Sequence, residues 1–200
     1  MKKRIIVPLS LSLIACLGLT QCQQSTKAEK VAGPTIDMHG HQSLEDYGKH
    51  LVNISGCHDC HTPRKMGPNG PEMDMELALS GHPTSMPLPD IDRAELEKKG
   101  IAATQSMTAW LGPWGVSYAG NITSDDDTGI GQWTEEQFFI ALREGKYRGV
   151  RNARPMLPPM PWEVFQNMSD TEIKAIYAYL QSTKPISNQV PYAIPPISAM

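Results

Sequence analysis

Two cysteines and a histidine stand at a spacing that has a specific chemical use. Cys57-His58-Asp59-Cys60-His61 follows the pattern C-x-x-C-H, which is typical of covalent haem attachment. Thiols one turn apart reach the two vinyl groups on one edge of a porphyrin, and the histidine that follows lies under the iron as its proximal ligand. The pattern therefore predicts one covalent haem c, bound through Cys57 and Cys60 and ligated by His61.

Three other uses of a close cysteine pair are weaker interpretations of the same residues. A disulfide between Cys57 and Cys60 leaves the adjacent His61 unexplained. A thioredoxin-like redox pair belongs in a βαβ setting, and the sequence shows no strand pattern to provide one. A zinc site needs two further ligands, and the sequence has no second cysteine pair of this spacing. We therefore favour haem attachment.

The sixth ligand of the iron distinguishes an electron carrier from an enzyme. The best candidate is Met160, in Leu157-Pro158-Pro159-Met160-Pro161-Trp162, because three prolines restrict φ and make this loop stiff enough to support a thioether. Met156 is the second candidate, although methionines more often fill gaps in a core. His82, in Gly81-His82-Pro83, would instead make the iron bis-histidine.

A proximal histidine usually donates its second ring nitrogen to a carbonyl group, which fixes the plane of the ring. The carbonyls of Pro68 and Pro83 lie in loops that could reach His61. The sequence does not choose between them.

The first residues read as an export signal of the lipoprotein type. Met1-Lys2-Lys3-Arg4 is a basic start, and the apolar stretch after it is too short to be read as a bilayer span. Cys16 and Cys22 lie near its end, and we favour Cys22 as the lipidated residue because a polar stretch follows it, as in a tether. An ordinary cleaved signal with an incidental cysteine is the alternative. Residues 1–22 are thus predicted to be a signal peptide, with the mature protein on the periplasmic face of a bacterial membrane.

Charge narrows the range of partners. The sequence has 18 Lys and Arg against 21 Asp and Glu, and loss of the signal would leave a net charge of −6. Such a chain gives no indication of nucleic-acid binding and favours a protein partner with a basic docking face.

The remaining chain is predicted to be one helical domain with two irregular ends. A flexible tether covers 23–42, ordered structure covers 43–185, and a Pro-rich tail covers 186–200. About four short helices are predicted within the domain. They begin after Ser43, Asp92, Thr134 and Ser169, and capping-box patterns are present at Ser43, Thr134 and Ser169. No alternating strand pattern is present, so the predicted fold class is all-α.

Two further features bear on packing. Gly48 lies on the apolar face of the first helix, where it costs helix stability, so we expect another element to approach closely there. Residues 62–120 are rich in Pro and Gly and show little periodicity. A connection of this length is uncommon unless it has a function, and wrapping a cofactor would be one.

Charged residues are concentrated in two segments. The basic segment, residues 143–154, contains five cations opposed only by Glu144: Arg143, Lys146, Arg148, Arg151 and Arg154. The acidic segment, residues 72–97, contains seven acids opposed only by Arg93. Such runs are usually solvated faces. The specific hypothesis is that one or two of the cations neutralise a haem propionate and the others orient the protein toward a partner.

Several of these stretches together resemble a known family. They are Gly56–Pro63 around the C-x-x-C-H motif, Asn121–Thr134, and the methionine loop followed by Met168–Leu180. The chain resembles a class I c-type cytochrome, similar to the domains of the cytochrome subunits of membrane-bound alcohol and gluconate dehydrogenases. The resemblance implies a cytochrome c fold, covalent haem c, His61 and Met160 as axial ligands, and electron transfer near a quinone or oxidase chain. Those subunits carry several such domains, whereas this sequence has one C-x-x-C-H.

The predicted function is to carry single electrons between membrane or periplasmic redox partners, without enzymatic activity. The partner is expected to be a dehydrogenase, a quinol-linked complex or a terminal oxidase. The alternative is a haem enzyme or gas sensor with an open distal site. The Pro-rich methionine loop is poor material for the polar pocket that such a site needs.

Overall fold

The computed structural model describes residues 37–200. The predicted signal peptide with Cys16 and Cys22, and most of the predicted tether, lie outside these residues. Within the described part of the chain, no helix is both long and apolar enough to cross a membrane.

Six α-helices are present among the described residues. They are α1 (Leu44–Ile54), α2 (Cys57–His61), α3 (Arg93–Lys98), α4 (Glu135–Glu144), α5 (Trp162–Phe165) and α6 (Asp170–Gln181). The four helices predicted from the sequence correspond to α1, α3, α4 and α6. The other two are single turns, α2 at the C-x-x-C-H motif and α5 directly after the methionine loop.

The prediction of an all-α fold is confirmed only for the helices, because the Pro- and Gly-rich connection also contains two antiparallel hairpins. In the first, β1 (Arg64–Gly67) pairs with β2 (Gly70–Met73); in the second, β3 (Ala109–Gly112) pairs with β4 (Gly115–Tyr118). Each hairpin turns through two residues between glycines, Pro68-Asn69 in the first and Pro113-Trp114 in the second. A proline followed by a tight turn was the available sequence signal, since strands of four residues are too short to show alternation.

Capping explains where the longer helices begin. Thr134 and Ser169 form complete capping boxes with Gln137 and Glu172, as the sequence predicts. The box predicted at Ser43 is only half formed. Its hydroxyl accepts from the Asp46 N–H at 3.1 Å, but the Asp46 carboxylate lies beside His41 and the Gln42 N–H.

The main core lies between α1, α4 and α6, with Leu79 and Ile130 from the connecting segments. Gly48 allows the close crossing of α1 and α6 that the sequence predicts. A Cβ on Gly48 would lie 1.9 Å from the Ala175 carbonyl oxygen and 2.8 Å from Tyr179 Cβ. Only a residue without a side chain fits at this crossing.

A second, smaller core joins α3 to the β3–β4 hairpin through Leu96, Leu111 and Val116. The segment 186–200, predicted as a Pro-rich tail, packs on this part of the molecule. Ile194 pairs with Val116 through two backbone hydrogen bonds of 2.8 and 3.0 Å.

Candidate functional site

The short helix α2 places both cysteines and the histidine of the motif on a single turn of chain. Cys57 and Cys60 are free thiols, each partly buried, and Cys57 packs against the main core. His61 ends the helix, and the Thr62 N–H closes its last turn onto the His58 carbonyl at 3.1 Å. The two thiols and the imidazole therefore occupy one turn, which is the arrangement that attachment of a flat cofactor along one edge requires.

The electrostatics of the two thiols do not fit a dithiol redox pair. Burial raises the pKa of Cys57 to about 11, and burial also raises the pKa of Cys60. Reactive cysteine pairs instead have lowered pKa values, because the thiolate is their nucleophile. The described residues also contain no group of three or more His, Cys, Asp or Glu side chains arranged to hold a metal ion.

The imidazole of His61 is fixed by a backbone carbonyl from a distant part of the chain. His61 Nδ1 donates to the Gly120 carbonyl oxygen at 2.7 Å, so the expectation that Pro68 or Pro83 provides this carbonyl is wrong. Gly120 follows the β3–β4 hairpin, and the hairpin brings it to α2. A backbone carbonyl carries no side-chain signature, so no signal in the sequence could have identified it.

The donor set at His61 fits a haem iron. A carbonyl can only accept, so Nδ1 carries the proton and Nε2 presents its lone pair. Nε2 makes no hydrogen bond with the residues that the structure describes. Burial lowers the pKa of His61, which the Gly120 hydrogen bond offsets only in part, so the ring favours the neutral form that ligates metals.

A second set of contacts secures the end of α2. The Thr62 side chain is fully buried, and its Oγ1 lies 2.8 Å from His58 Nδ1. The same oxygen accepts from the Leu79 N–H at 2.9 Å, which joins α2 to the core residue Leu79. Neither Thr62 nor Leu79 was singled out from the sequence, and Thr62 next to the motif was the only available hint.

Met160 lies in a loop that is bonded to β4 and closed by a hydrogen bond of its own. The Ser117 hydroxyl of β4 donates to the Pro158 carbonyl, and the Trp162 N–H donates to the Met160 carbonyl at 2.9 Å. The Met160 side chain is partly buried and packs against the same core as Cys57. Met156 is also partly buried, but it is not among the side chains that pack against this core.

His82 is buried, and both of its ring nitrogens have partners. Nδ1 lies 2.8 Å from Thr108 Oγ1, and Nε2 lies 3.2 Å from the Met86 carbonyl oxygen. The ring also packs on Tyr118 at 4.9 Å between centroids. With both nitrogens engaged, His82 has the contacts of a structural histidine.

Most cations of the basic segment are engaged within the chain. Arg143 pairs with Asp170 at 2.7 Å, and Arg151 pairs with Glu144 at 2.6 Å. The Arg154 guanidinium lies 4.1 Å from the centre of the Tyr147 ring. Among the described residues, Lys146 and Arg148 make no ion pair, and Arg148 is exposed. The acidic segment is also partly neutralised, by Lys65 on Asp74, Arg93 on Glu97 and Lys99 on Glu95.

Comparison with known proteins finds a family that matches part of the chain. Residues 115–184 match the family model Cytochrome c, a stretch that includes the methionine loop and all of α6 but not the C-x-x-C-H motif. The chain is 40% identical to one of the subunits of the nicotinate dehydrogenase of Pseudomonas putida over 79 residues, which are 40% of this chain and 6% of that protein.

Two relatives match more of the chain. The cytochrome c subunit of the quinone alcohol dehydrogenase of Gluconobacter oxydans is 30% identical over 149 residues, 74% of this chain and 23% of the subunit. The cytochrome subunit of the fructose dehydrogenase of Gluconobacter japonicus is 26% identical over 180 residues, 88% of this chain and 29% of the subunit. Matches of this extent must span Cys57–His61, and the chain spans less than a third of the length of each of these relatives.

The relatives of broad coverage are named as cytochrome subunits of dehydrogenases, as the resemblance in the sequence predicts. Cytochrome c domains bind haem c covalently, in agreement with the two free thiols on α2. The chain thus resembles the class I c-type cytochromes: residues 115–184 match the cytochrome c family, and the chain is similar to the cytochrome c subunits of bacterial dehydrogenases.

Proposed function

We propose that this chain binds one haem through Cys57 and Cys60, with His61 and Met160 as the axial ligands, and passes single electrons between redox partners. The observation that carries the proposal is the hydrogen bond of 2.7 Å from His61 Nδ1 to the Gly120 carbonyl. It leaves Nε2 as the ligating nitrogen next to two free thiols on the same turn.

When bound, the haem supplies a centre that gains or loses one electron. The residues of the chain set the conditions for that exchange. Cys57 and Cys60 prevent loss of the cofactor, and Gly120 sets the plane and the basicity of the His61 imidazole. A thioether from Met160 favours the reduced iron and gives a higher potential than a second histidine would.

Met160 is favoured over the other candidates by its surroundings. It packs against the core that also contacts Cys57, whereas Met156 does not, and both ring nitrogens of His82 are occupied. An iron with two protein ligands has no open position for oxygen or another gas. These contacts therefore support an electron carrier over a haem enzyme or sensor.

The partner that we propose is a dehydrogenase or the quinone-linked chain that it serves, since the relatives are named as cytochrome subunits of dehydrogenases. We also propose that the chain is exported and attached to the periplasmic face of the membrane by a lipid on Cys22. The basic start and the apolar stretch before Cys22 support this location.

The first experiment tests covalent attachment. Protein expressed with a c-type maturation system is treated with acidified acetone, and the haem in the protein pellet is measured as the pyridine haemochrome. Wild type should retain its haem, whereas Cys57→Ala and Cys60→Ala should yield little mature holoprotein. Extraction of the haem from wild type would refute the proposal.

The second experiment identifies the distal ligand with a matched pair of variants. Oxidised wild type should show the weak near-infrared charge-transfer band of methionine-ligated iron. Met160→Ala should abolish the band and lower the potential, while Met156→Ala should retain both. The reverse pattern assigns Met156, and an absent band in wild type assigns a histidine or an open site.

A further inference from the structure

The carbonyl that orients His61 lies beside a bend of the chain at residues 80–82, the 80–82 turn, which holds it. The Gly81 N–H donates to the His61 carbonyl oxygen at 2.8 Å, and the His82 N–H donates to the Ala119 carbonyl oxygen at 2.9 Å. The turn therefore bonds on one side to the proposed ligand itself and on the other to the residue preceding Gly120.

Gly81 packs directly on the peptide that carries the Gly120 carbonyl. A Cβ on Gly81 would lie 2.5 Å from the Ala119 carbonyl oxygen and 2.6 Å from the Gly120 carbonyl oxygen. Its φ of +78° is also in the region that only glycine adopts readily. With backbone packed on backbone, a displacement of the turn must displace the Gly120 carbonyl.

The turn is fastened from the far end of the chain by one side-chain amide. Asn188 Nδ2 donates to the Ser80 carbonyl oxygen at 2.8 Å and to the His82 carbonyl oxygen at 2.9 Å. Both hydrogens of the amide are used, and their acceptors lie on either side of Gly81. These contacts join residues 106 and 108 positions apart in the sequence.

Asn188 is itself held in place by the segment after α6. The Asn188 N–H donates to Thr128 Oγ1 at 3.0 Å, and two residues earlier the Ile186 carbonyl accepts from Asn121 Nδ2 at 2.7 Å. Farther along, Ile194 pairs with Val116 of β4. The segment is thus bonded on both sides of Asn188 to the chain around Gly120.

We infer that Asn188 is a positioning residue for the proximal ligand, which acts on His61 through the turn 80–82 and the Gly120 carbonyl. This inference rests on the proposed ligation of the haem by His61. It gives the C-terminal segment a part in tuning the haem centre, beyond covering the surface. The matched family stretch ends at residue 184, before this segment.

Loss of the Asn188 amide should shift the midpoint potential of the haem in one direction. A well-aligned Nδ1–H···O=C bond raises the basicity of the imidazole, and a more basic imidazole stabilises the oxidised iron. Removal of the Asn188 amide loosens the turn and weakens that bond. The midpoint potential should therefore rise, and the His61 Nδ1 proton should exchange with solvent about tenfold faster, as expected for the loss of about one net hydrogen bond.

Asn188→Ala tests the inference, because it keeps the backbone contact to Thr128 and removes both Nδ2 donors. The measurements are the midpoint potential and the exchange rate of the His61 ring proton in the paramagnetic proton NMR spectrum. Thr84→Ala is the matched control, since the Thr84 hydroxyl contacts the carbonyl end of the same amide, at 3.3 Å, and the Gln189 carbonyl, but neither Nδ2 donor. Asn188→Ala should change both measured quantities, and Thr84→Ala neither.

A holoprotein of Asn188→Ala that is less stable but has the potential and ring-proton exchange of wild type would overturn the inference. Equal changes in Thr84→Ala would also overturn it, since general loosening would then explain the effect. If Asn188→Ala does not accumulate, hydrogen exchange of wild-type holoprotein decides. The Gly81 and His82 amides should open together with the His61 ring proton, and independent opening would refute the coupling. Absence of covalent haem from wild type would instead be a failure of the proposed function.

Discussion

A single methyl group at the crossing of α1 and α6 should destabilise the whole domain. In Gly48→Ala, the new Cβ would lie 1.9 Å from the Ala175 carbonyl oxygen, where ordinary contact begins at 3.4 Å, so the helices must separate by about 1.5 Å. Overpacking costs roughly 1–3 kcal/mol, and we expect the upper end of this range because the new Cβ contacts a backbone atom, which cannot move aside as a side chain can. This cost is partly offset because alanine is about 1 kcal/mol more favourable than glycine inside a helix. The expected net loss is about 2 kcal/mol.

Guanidinium denaturation of the holoprotein, followed by tryptophan fluorescence, measures this loss. In a thermal scan of the same protein, the melting temperature should fall by about 4–8 °C. Asn53→Ala is the matched control, because Asn53 is an exposed residue of the same helix. It should raise stability by about 0.5 kcal/mol through helix propensity alone. Equal stability of Gly48→Ala and wild type would refute the close crossing as the reason for glycine at this position.

Three further predictions concern charged residues. The Thr128 hydroxyl and N–H donate to Asp125 Oδ1 at 2.6 and 2.8 Å, and these bonds lower the pKa of Asp125. The stabilisation from this carboxylate is therefore present above the unfolded pKa of about 3.9 and is lost as pH falls through the lower folded value. Asp125→Asn should therefore be less stable than wild type in urea at pH 7, with the difference shrinking below about pH 4; a difference that persists in acid would contradict this sign. Arg143→Gln breaks the ion pair of 2.7 Å with Asp170 and should cost up to about 1 kcal/mol of stability without altering the salt dependence of electron transfer. Arg148→Gln should leave stability and potential unchanged but slow oxidation by anionic ferricyanide and weaken its salt dependence, which stopped-flow measurements would show; unchanged kinetics would mean that Arg148 belongs to a solvated face.

Local sequence patterns were sufficient for the elements that carry the site. Capping residues and apolar spacing predict α1, α3, α4 and α6, because these signals act within one or two turns of a helix. The glycine at position 48 predicts a close helix crossing for a similarly local reason. The C-x-x-C-H motif and the Pro-rich loop around Met160 are likewise contiguous, so their chemistry can be read from adjacent residues.

The two hairpins were missed because short strands carry little side-chain information. The burial pattern of β1 and β2 has partly buried ends and an exposed middle, so neither strand shows the alternation that marks a sheet with one buried face. Their pairing depends instead on the turn Pro68-Asn69 between two glycines. Turn residues therefore determine this part of the fold more than hydrophobic pattern does.

The support of His61, the proposed proximal ligand, depends on the tertiary structure. The acceptor for His61 is a main-chain carbonyl 59 residues away, and any residue type can provide a carbonyl. The loops beside Pro68 and Pro83 were closer in sequence, but the β3–β4 hairpin brings Gly120 to the ring instead. The same holds for Asn188, whose amide meets the turn at residues 80–82 across more than a hundred positions. The side chains that we propose to bind a haem could be predicted from the sequence, because they are chemically distinctive and adjacent. What orients them is backbone brought together by folding, which leaves no local pattern to read.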